Sequence, residues 1–319
     1  MANERLRLFP VPRRLPCMIR PLPAIFLAAP LFAQASLSFE VASIRRAEPG
    51  SFKAPNVPLN AGDQYASTGG RYSATTALTN FITFAYKLTL TRDQRQALAA
   101  HLPGWFSTES FTIEAHAPAN LPDPTKDQMR QMMQSLLADR FNLKIHFETR
   151  QASLLALTVA KPGKLGPKLI RNPGPACAAP GPPPTPPAGG EGIFPTLPCD
   201  AYVMTAKNDH TRILTGARDT TMAMFAATLP NLMIPGQGSV LGSQERPVVD
   251  RTGLDGRFDI MIEWAADLSS PFPPFGVEPD AAGPTFIDAL REELGLKLEP
   301  IKGPIQVLVI DHVEQPSDN

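Results

Sequence analysis

The feature that most constrains the fold is a stretch of sequence that occurs twice. Residues 131–161, QMMQSLLADRFNLKIHFETRQASLLALTVAK, resemble residues 286–313, FIDALREELGLKLEPIKGPIQVLVIDHV. A constant offset of 153 residues, for example from Leu137 to Leu290, aligns the two stretches without a gap. Such a repeat indicates an internal duplication. Two copies predict two similar modules that superpose, because a solenoid is built from a longer series of repeats.

Each copy is predicted to form a helix followed by two strands. In the first copy, apolar residues recur at helical spacing over residues 131–141, and apolar and polar residues then alternate over residues 143–147. A turn is predicted at residues 150–153, before a second, more apolar strand at residues 154–159. In the second copy, residues 303–304, Gly-Pro, occupy the position of the turn.

Capping residues mark the predicted starts of several helices. Thr125 and Gln128 form a capping box before the helix of the first copy. Thr75 or Thr76 is expected to cap an earlier helix, and Asp219 is expected to cap the corresponding helix of the second half.

The order of elements predicts the fold class. Both halves repeat the order strand, strand, helix, strand, helix, strand, strand. This order predicts an α+β protein of two similar two-layer modules, each a small mixed or antiparallel sheet with two helices on one face. The predicted limits are 36–161 for the first module, 162–200 for a Pro/Gly-rich linker, 201–314 for the second module and 315–319 for a polar tail. Proline and glycine in the linker favour extended or disordered structure.

The composition supports a globular protein and excludes one class of partner. Of the 319 residues, 43% are hydrophobic and 19% are charged, which is typical of chains with substantial cores. The formal net charge is zero, whereas binding to nucleic acid or to an anionic membrane needs a basic field. We therefore expect no nucleic-acid partner. An envelope protein or a small ligand is the expected partner.

The N-terminus has the pattern of a signal peptide, residues 1–35. Arginines precede an apolar run at residues 22–32, and Ala33-Gln34-Ala35 then follows as a cleavage signature. The run is shorter than the ~20 residues of a transmembrane helix. We expect cleavage after Ala35 and a periplasmic or extracellular mature chain with no membrane span. An uncleaved anchor is the alternative, and either Met1 or Met18 is the start.

The cysteines of the mature chain predict a disulfide. Cys17 leaves with the signal peptide, so that Cys177 and Cys199 remain. An even number of cysteines in an exported protein favours a disulfide across the Pro-rich segment. Two free thiols are the alternative. The two cysteines lack the spacing of a metal site.

A glycine turn near residue 253 carries the one candidate functional cluster. Asp250, Asp255 and Asp259 lie around it, and three carboxylates are able to bind a cation or act as paired acid and base. Their spacing does not match a calcium loop, and a tight turn needs Asp and Gly in any case. No other catalytic, cofactor or metal site is predicted. The histidines have no metal-ligand spacing: they are His101, His116, His146, His210 and His312.

Several longer motifs resemble a known family. The segments GWFSTESFTIEAHAP, QMMQSLLADRFNLKIHFETR, RPVVDRTGLDGRFDI, ALREELGLKLE and VLVIDHVEQPS resemble an exported family of unknown function that occurs in many copies in soil acidobacteria. In that family the domain is sometimes joined to a membrane metallopeptidase of the antibiotic-sensor type, whose HExxH motif this sequence lacks. The resemblance implies no activity, cofactor or catalytic residue. The order of elements is also similar to the N-terminal signalling domains of secretins and TonB-dependent receptors, a likeness of fold alone.

Three functions are compatible with these features. The first is an exported binding, interaction or sensor module of the cell envelope, with a groove between modules or an open strand edge for its partner. The second is a secreted hydrolase that acts on envelope material, and the third is a purely structural protein. A pocket with two or more ionisable groups would favour the enzyme. An apolar groove or an open sheet edge would favour binding.

Overall fold

The computed structural model describes residues 37–172 and 199–316, except 201, 208, 235–237, 243–245, 266–273, 279 and 281. The predicted α+β class is confirmed, with strands and helices in both halves of the chain. The strands are β1 (Val41–Arg46), β2 (Arg71–Ala77), β3 (Ser110–His116), β4 (Lys144–Val159), β5 (Leu169–Asn172), β6 (Tyr202–Ala206), β7 (Ile213–Thr220), β8 (Met233–Ile234), β9 (Gly238–Ser239), β10 (Val248–Asp250), β11 (Arg257–Trp264) and β12 (Leu296–His312). The helices are α1 (Leu78–Ala85), α2 (Arg92–Ala99), α3 (Trp105–Thr108), α4 (Lys126–Arg140), α5 (Met222–Thr228) and α6 (Phe286–Glu293).

The strands form three sheets and a short hairpin. The first sheet has the antiparallel order β1-β3-β2, and the second has the antiparallel order β5-β11-β7-β6. The third sheet has the order β10-β4-β12, in which β12 is antiparallel and β10 is parallel to β4. Strands β8 and β9 form the hairpin. No helix in the described part of the chain is long and apolar enough to cross a membrane.

The two predicted turns in the repeats are wrong. Strand β4 continues for 16 residues through residues 150–153, and β12 continues for 17 residues through residues 303–304. The two strands pair along their length, and Pro304 lies directly opposite Gln151. Each strand therefore finds its pairing partner in the other copy and not in its own hairpin. Because β12 is an edge strand, the missing N–H of Pro304 is tolerated there.

Each long strand contributes to two hydrophobic cores. The first core lies between the first sheet and helices α1 and α4, and it includes Leu308 and Val313 from the end of the chain. The second core lies among the second sheet, α5 and α6, and it includes Leu155 and Leu157 from β4. The chain thus enters the second core within β4 and returns to complete the first core near the end of β12.

The packing differs from the predicted limits of the modules. Leu155, Leu157 and Val159 pack with the second core, although they lie within the predicted first module. Strand β5 lies in the predicted linker, yet it pairs with β11 in the second sheet. Strand β5 pairs with β11 in the way that β1 pairs with β3. Strand β5, and not β6, therefore corresponds to β1. The cause is long-range strand pairing, which local composition does not encode.

The corresponding strand orders support the internal duplication, which itself stays a prediction. Orders β1-β3-β2 and β5-β11-β7 match, and a helix follows β2 and β7 in each case. Gln151 and Pro304 are equivalent positions of the two repeats. They are also directly opposite each other in the pairing of β4 with β12. A two-fold relationship between the modules would require such pairing of equivalent positions.

The helix starts are partly as predicted. The capping box of Thr125 and Gln128 at α4 is confirmed. Helix α1 begins after Ala77 with no side-chain cap, so the predicted caps at Thr75 or Thr76 are wrong. At α5 the cap is Thr221, whose side chain accepts a hydrogen bond from Met224 N at 3.1 Å.

Candidate functional site

A cleft with a volume of about 390 Å³ is lined by residues of both modules. The first module contributes the loop before β2 and the segment after α1. The second contributes α5 and two charged side chains beside it. The described residues that line the cleft are Ala61, Gly62, Asp63, Lys87, Thr89, Asp200, Thr221, Ala223, Met224, Ala227 and Arg257.

On the first wall, Asp63 is held by two cations. Lys87 Nζ lies 2.5 Å from Asp63 Oδ1, and Arg130 Nη1 donates to the same oxygen at 2.8 Å. Partial burial raises the pKa of Asp63, but the hydrogen bonds from Lys87 and Arg130 outweigh it and leave that pKa below its usual range. Asp63 therefore carries a full negative charge at neutral pH.

On the second wall, Arg257 joins two buried carboxylates. Its Nη2 donates to Asp200 Oδ1 at 2.9 Å, and its Nε lies 3.2 Å from Asp219 Oδ1. Both aspartate side chains are almost fully buried. Burial raises the pKa of Asp200, and the neighbouring Arg257 opposes that rise only in part. Asp219 does not cap α5, because the N-cap position falls two residues later, at Thr221.

A buried lysine lies in the same charged cluster. Lys126 is 1% exposed, and its Nζ donates to Asn60 Oδ1 at 2.6 Å. Burial lowers the pKa of Lys126 to about 7, and Arg130 lowers it further, whereas Asp200 and Asp63 act in the opposite direction. At neutral pH this amine therefore exists in both protonation states.

The two walls are in direct contact at Gly62. A Cβ atom added to Gly62 would lie 2.7 Å from Cβ of Asp200, closer than real Cβ contacts. Only glycine therefore fits at this point without moving the walls apart. A second link between the modules is the hydrogen bond from Arg95 Nη2 to Asn231 Oδ1 at 2.8 Å.

The cluster also concentrates unusual backbone conformations. Lys87, Asp200 and Asp219 have φ angles of 54°, 56° and 46°, three of the six described non-glycine residues with positive φ. Side chains disfavour this left-handed region. Lys87 ends α1, where a left-handed residue is common. Asp219 lies at a bulge of β7 opposite Asp259, and Asp200 lies in a turn, two places where a left-handed residue is common.

The predicted aspartate cluster does not form a metal site in the described structure. Asp250 Oδ1 accepts hydrogen bonds from the N and Oγ1 of Thr252, both at 2.8 Å, and so stabilises the turn. Asp259 Oδ1 accepts from Asp219 N at 2.7 Å, and Asp255 is exposed. Among the described residues, no group of three or more His, Cys, Asp or Glu side chains is arranged to hold a metal ion.

The predicted disulfide lies partly outside the described residues. Cys177 is not among them, and neither is the predicted signal peptide. Cys199 is buried, and its Sγ lies 3.3 Å from Asp219 Oδ2, at the margin of the charged cluster. The pairing of Cys177 with Cys199 stays a prediction.

The charged cluster was not predicted from the sequence, although part of it left a signal. Lys126, Met129, Arg130 and Met133 recur at the spacing of one helical face. All four are buried on α4. Two cations on an otherwise apolar stripe indicate either a buried ion-pair network or a ligand site. The other members come from distant segments, and only the fold brings them together.

Comparison with known proteins identifies the family. Residues 79–313 match the family model described as a protein of unknown function, DUF3738. The chain belongs to the DUF3738 family. The segment shared with the family contains Lys87, Asp200 and Arg257, whereas the loop with Asp63 precedes it. No curated protein and no solved structure matches the chain. The acidobacterial source and the metallopeptidase fusion stay expectations of the resemblance.

Proposed function

We propose that this chain is a binding protein that holds a small zwitterionic ligand, of the size of a short peptide, in the cleft between its modules. The arrangement of charge in the cleft supports this proposal. An Asp63–Lys87 pair lines one wall, and an Asp200–Arg257 pair lines the other. A ligand with a carboxylate and an ammonium group finds an oppositely charged side chain for each.

The charged side chains retain capacity for a ligand. Lys87 and Asp63 have side chains that are 44% and 54% exposed. Exposed pairs of this kind contribute only about 0–1 kcal/mol, so a ligand separates them at little cost. Arg257 is engaged through Nε and Nη2, while its Nη1 makes no hydrogen bond within the described structure. That edge of the guanidinium is suited to a carboxylate.

The size and apolar surface of the cleft favour a short peptide over a bare ion. Its volume of about 390 Å³ lies within the range of roughly 300–1,000 Å³ that is usual for ligand pockets. Helix α5 contributes Ala223, Met224 and Ala227, which form an apolar strip for a small side chain. Methionine adapts its shape to different apolar groups. The strip is therefore suited to short peptides with different apolar side chains.

A hydrolase is the second candidate, and the pocket gives it specific support. The cleft holds four ionisable groups, and burial raises the pKa of one of them, Asp200, as in a general acid. Against it, the described lining residues include no Ser, Cys or His nucleophile or base. Mass spectrometry of an incubated peptide distinguishes the two functions. A hydrolase would cleave the peptide, and Asp200→Asn would abolish cleavage.

We propose that the protein acts in the cell envelope, after cleavage of residues 1–35. The support is the succession of arginines, an apolar run and Ala33-Gln34-Ala35 in the sequence. N-terminal sequencing of the protein from the producing cell is expected to begin at Ser36. A cytosolic protein that starts at Met1 or Met18 would contradict this localisation.

Calorimetric titration with the tripeptide Ala-Leu-Ala tests the binding function. We expect binding of the free peptide, and weakening of about tenfold or more when either terminus is blocked, because a charged hydrogen bond contributes about 1.5–3 kcal/mol. Lys87→Gln is expected to weaken binding, whereas Lys302→Gln, an exposed lysine on β12, serves as the matched control. Equal affinity for the blocked and the free peptides would refute recognition of a zwitterion.

A further inference from the structure

We propose that binding of a carboxylate in the cleft is accompanied by uptake of one proton at Lys126, which makes the affinity of the site depend on pH. This inference rests on the proposed function and adds its regulation. Lys126 does not line the cleft, so its role is to respond to the charge of the ligand through Asp200 and Asp63.

The hydrogen bonding of Lys126 is the first observation. A protonated lysine has three N–H donors, but the one partner of Lys126 in the described structure is the neutral Asn60 Oδ1. The nearby carboxylates are engaged elsewhere: Asp63 pairs with Lys87 and Arg130, and Asp200 pairs with Arg257. A buried ammonium with a single neutral partner is poorly stabilised, so the uncharged amine is favoured in the free protein.

The charges that act on Lys126 come from several separate segments of the chain. Helix α4 contributes Arg130, the loop before β2 contributes Asp63, and the second module contributes Asp200. Lys87, at the end of α1, adds a further positive charge. The cluster also holds Asp127, which pairs with Arg130 and Lys87, and Arg257 with Asp219. With Lys126 protonated, four cations therefore face four carboxylates. A ligand carboxylate placed at Arg257, beside Asp200, adds negative charge on that side of Lys126 and favours the ammonium form.

The coupling works through Arg257. A ligand carboxylate at Arg257 competes with Asp200 for the guanidinium. The ion pair between Arg257 and Asp200 is then weaker. Asp200 then acts more strongly on Lys126, and the amine takes one proton from solvent. Because the bound state holds more protons than the free state, the affinity falls as pH rises. Above the pKa of the free amine, one linked proton weakens binding by up to about tenfold per pH unit.

The number of protons taken up is measured by calorimetry with Ala-Leu-Ala at pH 7.5 in two buffers of different ionisation enthalpy, phosphate and Tris. We expect the wild-type chain to take up roughly one-half to one proton more than Lys126→Met, since the free amine has a pKa of about 7. Protons exchanged by the peptide itself are common to both proteins and cancel in the difference. Lys126→Arg, which keeps its charge, is expected to behave as Lys126→Met, and Lys164→Met, outside the cleft, is expected to behave as wild type.

The outcomes separate this inference from the function on which it rests. Absence of any binding heat with the wild-type chain would reject the binding function itself. Binding with the same proton uptake in wild type, Lys126→Met and Lys126→Arg would leave the function standing and overturn the role of Lys126. Circular dichroism establishes that each variant is folded, and Lys126→Arg decides the question if Lys126→Met does not fold.

Discussion

Deletion of residues 305–319 is expected to unfold the first module. The end of β12 is the last part of the chain to join the first core, and it contributes Leu308 and Val313, both buried there. Strand β4 also loses the partner of its first half, because residues 305–312 pair with residues 144–150. The first core would then be open on one side.

The expected loss in the free energy of unfolding is comparable with the whole stability of a domain. Removal of a single buried leucine side chain costs about 2–5 kcal/mol, whereas a domain is stable by about 5–15 kcal/mol in total. Leu308→Ala alone is therefore expected to cost about 2–4 kcal/mol. Urea unfolding followed by circular dichroism gives both values. Deletion of residues 316–319 alone is the matched control and is expected to have little effect. A chain shortened by residues 305–319 that unfolds like the wild type would refute the return of β12 to the first core.

Replacement of Arg257 by alanine is expected to destabilise the second module by about 3–5 kcal/mol, the usual cost of removing one partner from a buried ion pair. The reason is that Asp200 and Asp219 would remain buried without their shared cation. Arg291 is the control, because its pair with Asp288 is exposed. Arg291→Ala is expected to cost at most about 1 kcal/mol.

The pH dependence of the Arg257→Ala variant follows from the same geometry. Burial already raises the pKa of Asp200 in the wild type, and loss of the cation that opposes this rise raises it further. A group whose pKa is raised by folding destabilises the fold above that pKa, and the penalty disappears as pH falls below it. The variant should therefore lose less stability at pH 4.5 than at pH 7. A loss under 1 kcal/mol at pH 7 would contradict the paired arrangement.

Local sequence signals predicted the elements better than their connections. The capping box before α4 and the alternation in β3 and β11 are short-range features, and the structure has these elements where the sequence places them. The turns at residues 150–153 and 303–304 failed because each strand has a pairing partner in the other half of the chain. Strand β5 was missed because its four residues are ordered by β11, not by their own pattern.

The cleft was beyond sequence reasoning for a different physical reason. Asp63, Lys87, Asp200 and Arg257 lie on separate segments, and no short motif contains two of them. Only the two cations on the buried face of α4 departed from the expected pattern. By contrast, the aspartates near residue 253 formed a visible cluster, but most of their hydrogen bonds stabilise a turn. The carboxylates that are close in sequence and the carboxylates that the fold brings together in the cleft are therefore different groups.

Binding of a zwitterionic peptide between the modules is tested by locating the bound peptide on the protein. The measurement is the change in the ¹H–¹⁵N NMR spectrum of residues 36–319 on titration with Ala-Leu-Ala. We expect changes at the amides of Thr89, Met224 and Ala227, which line the cleft. Changes confined to a second cavity of about 430 Å³, lined in part by Lys161 and Lys297, or no changes at all, would contradict it.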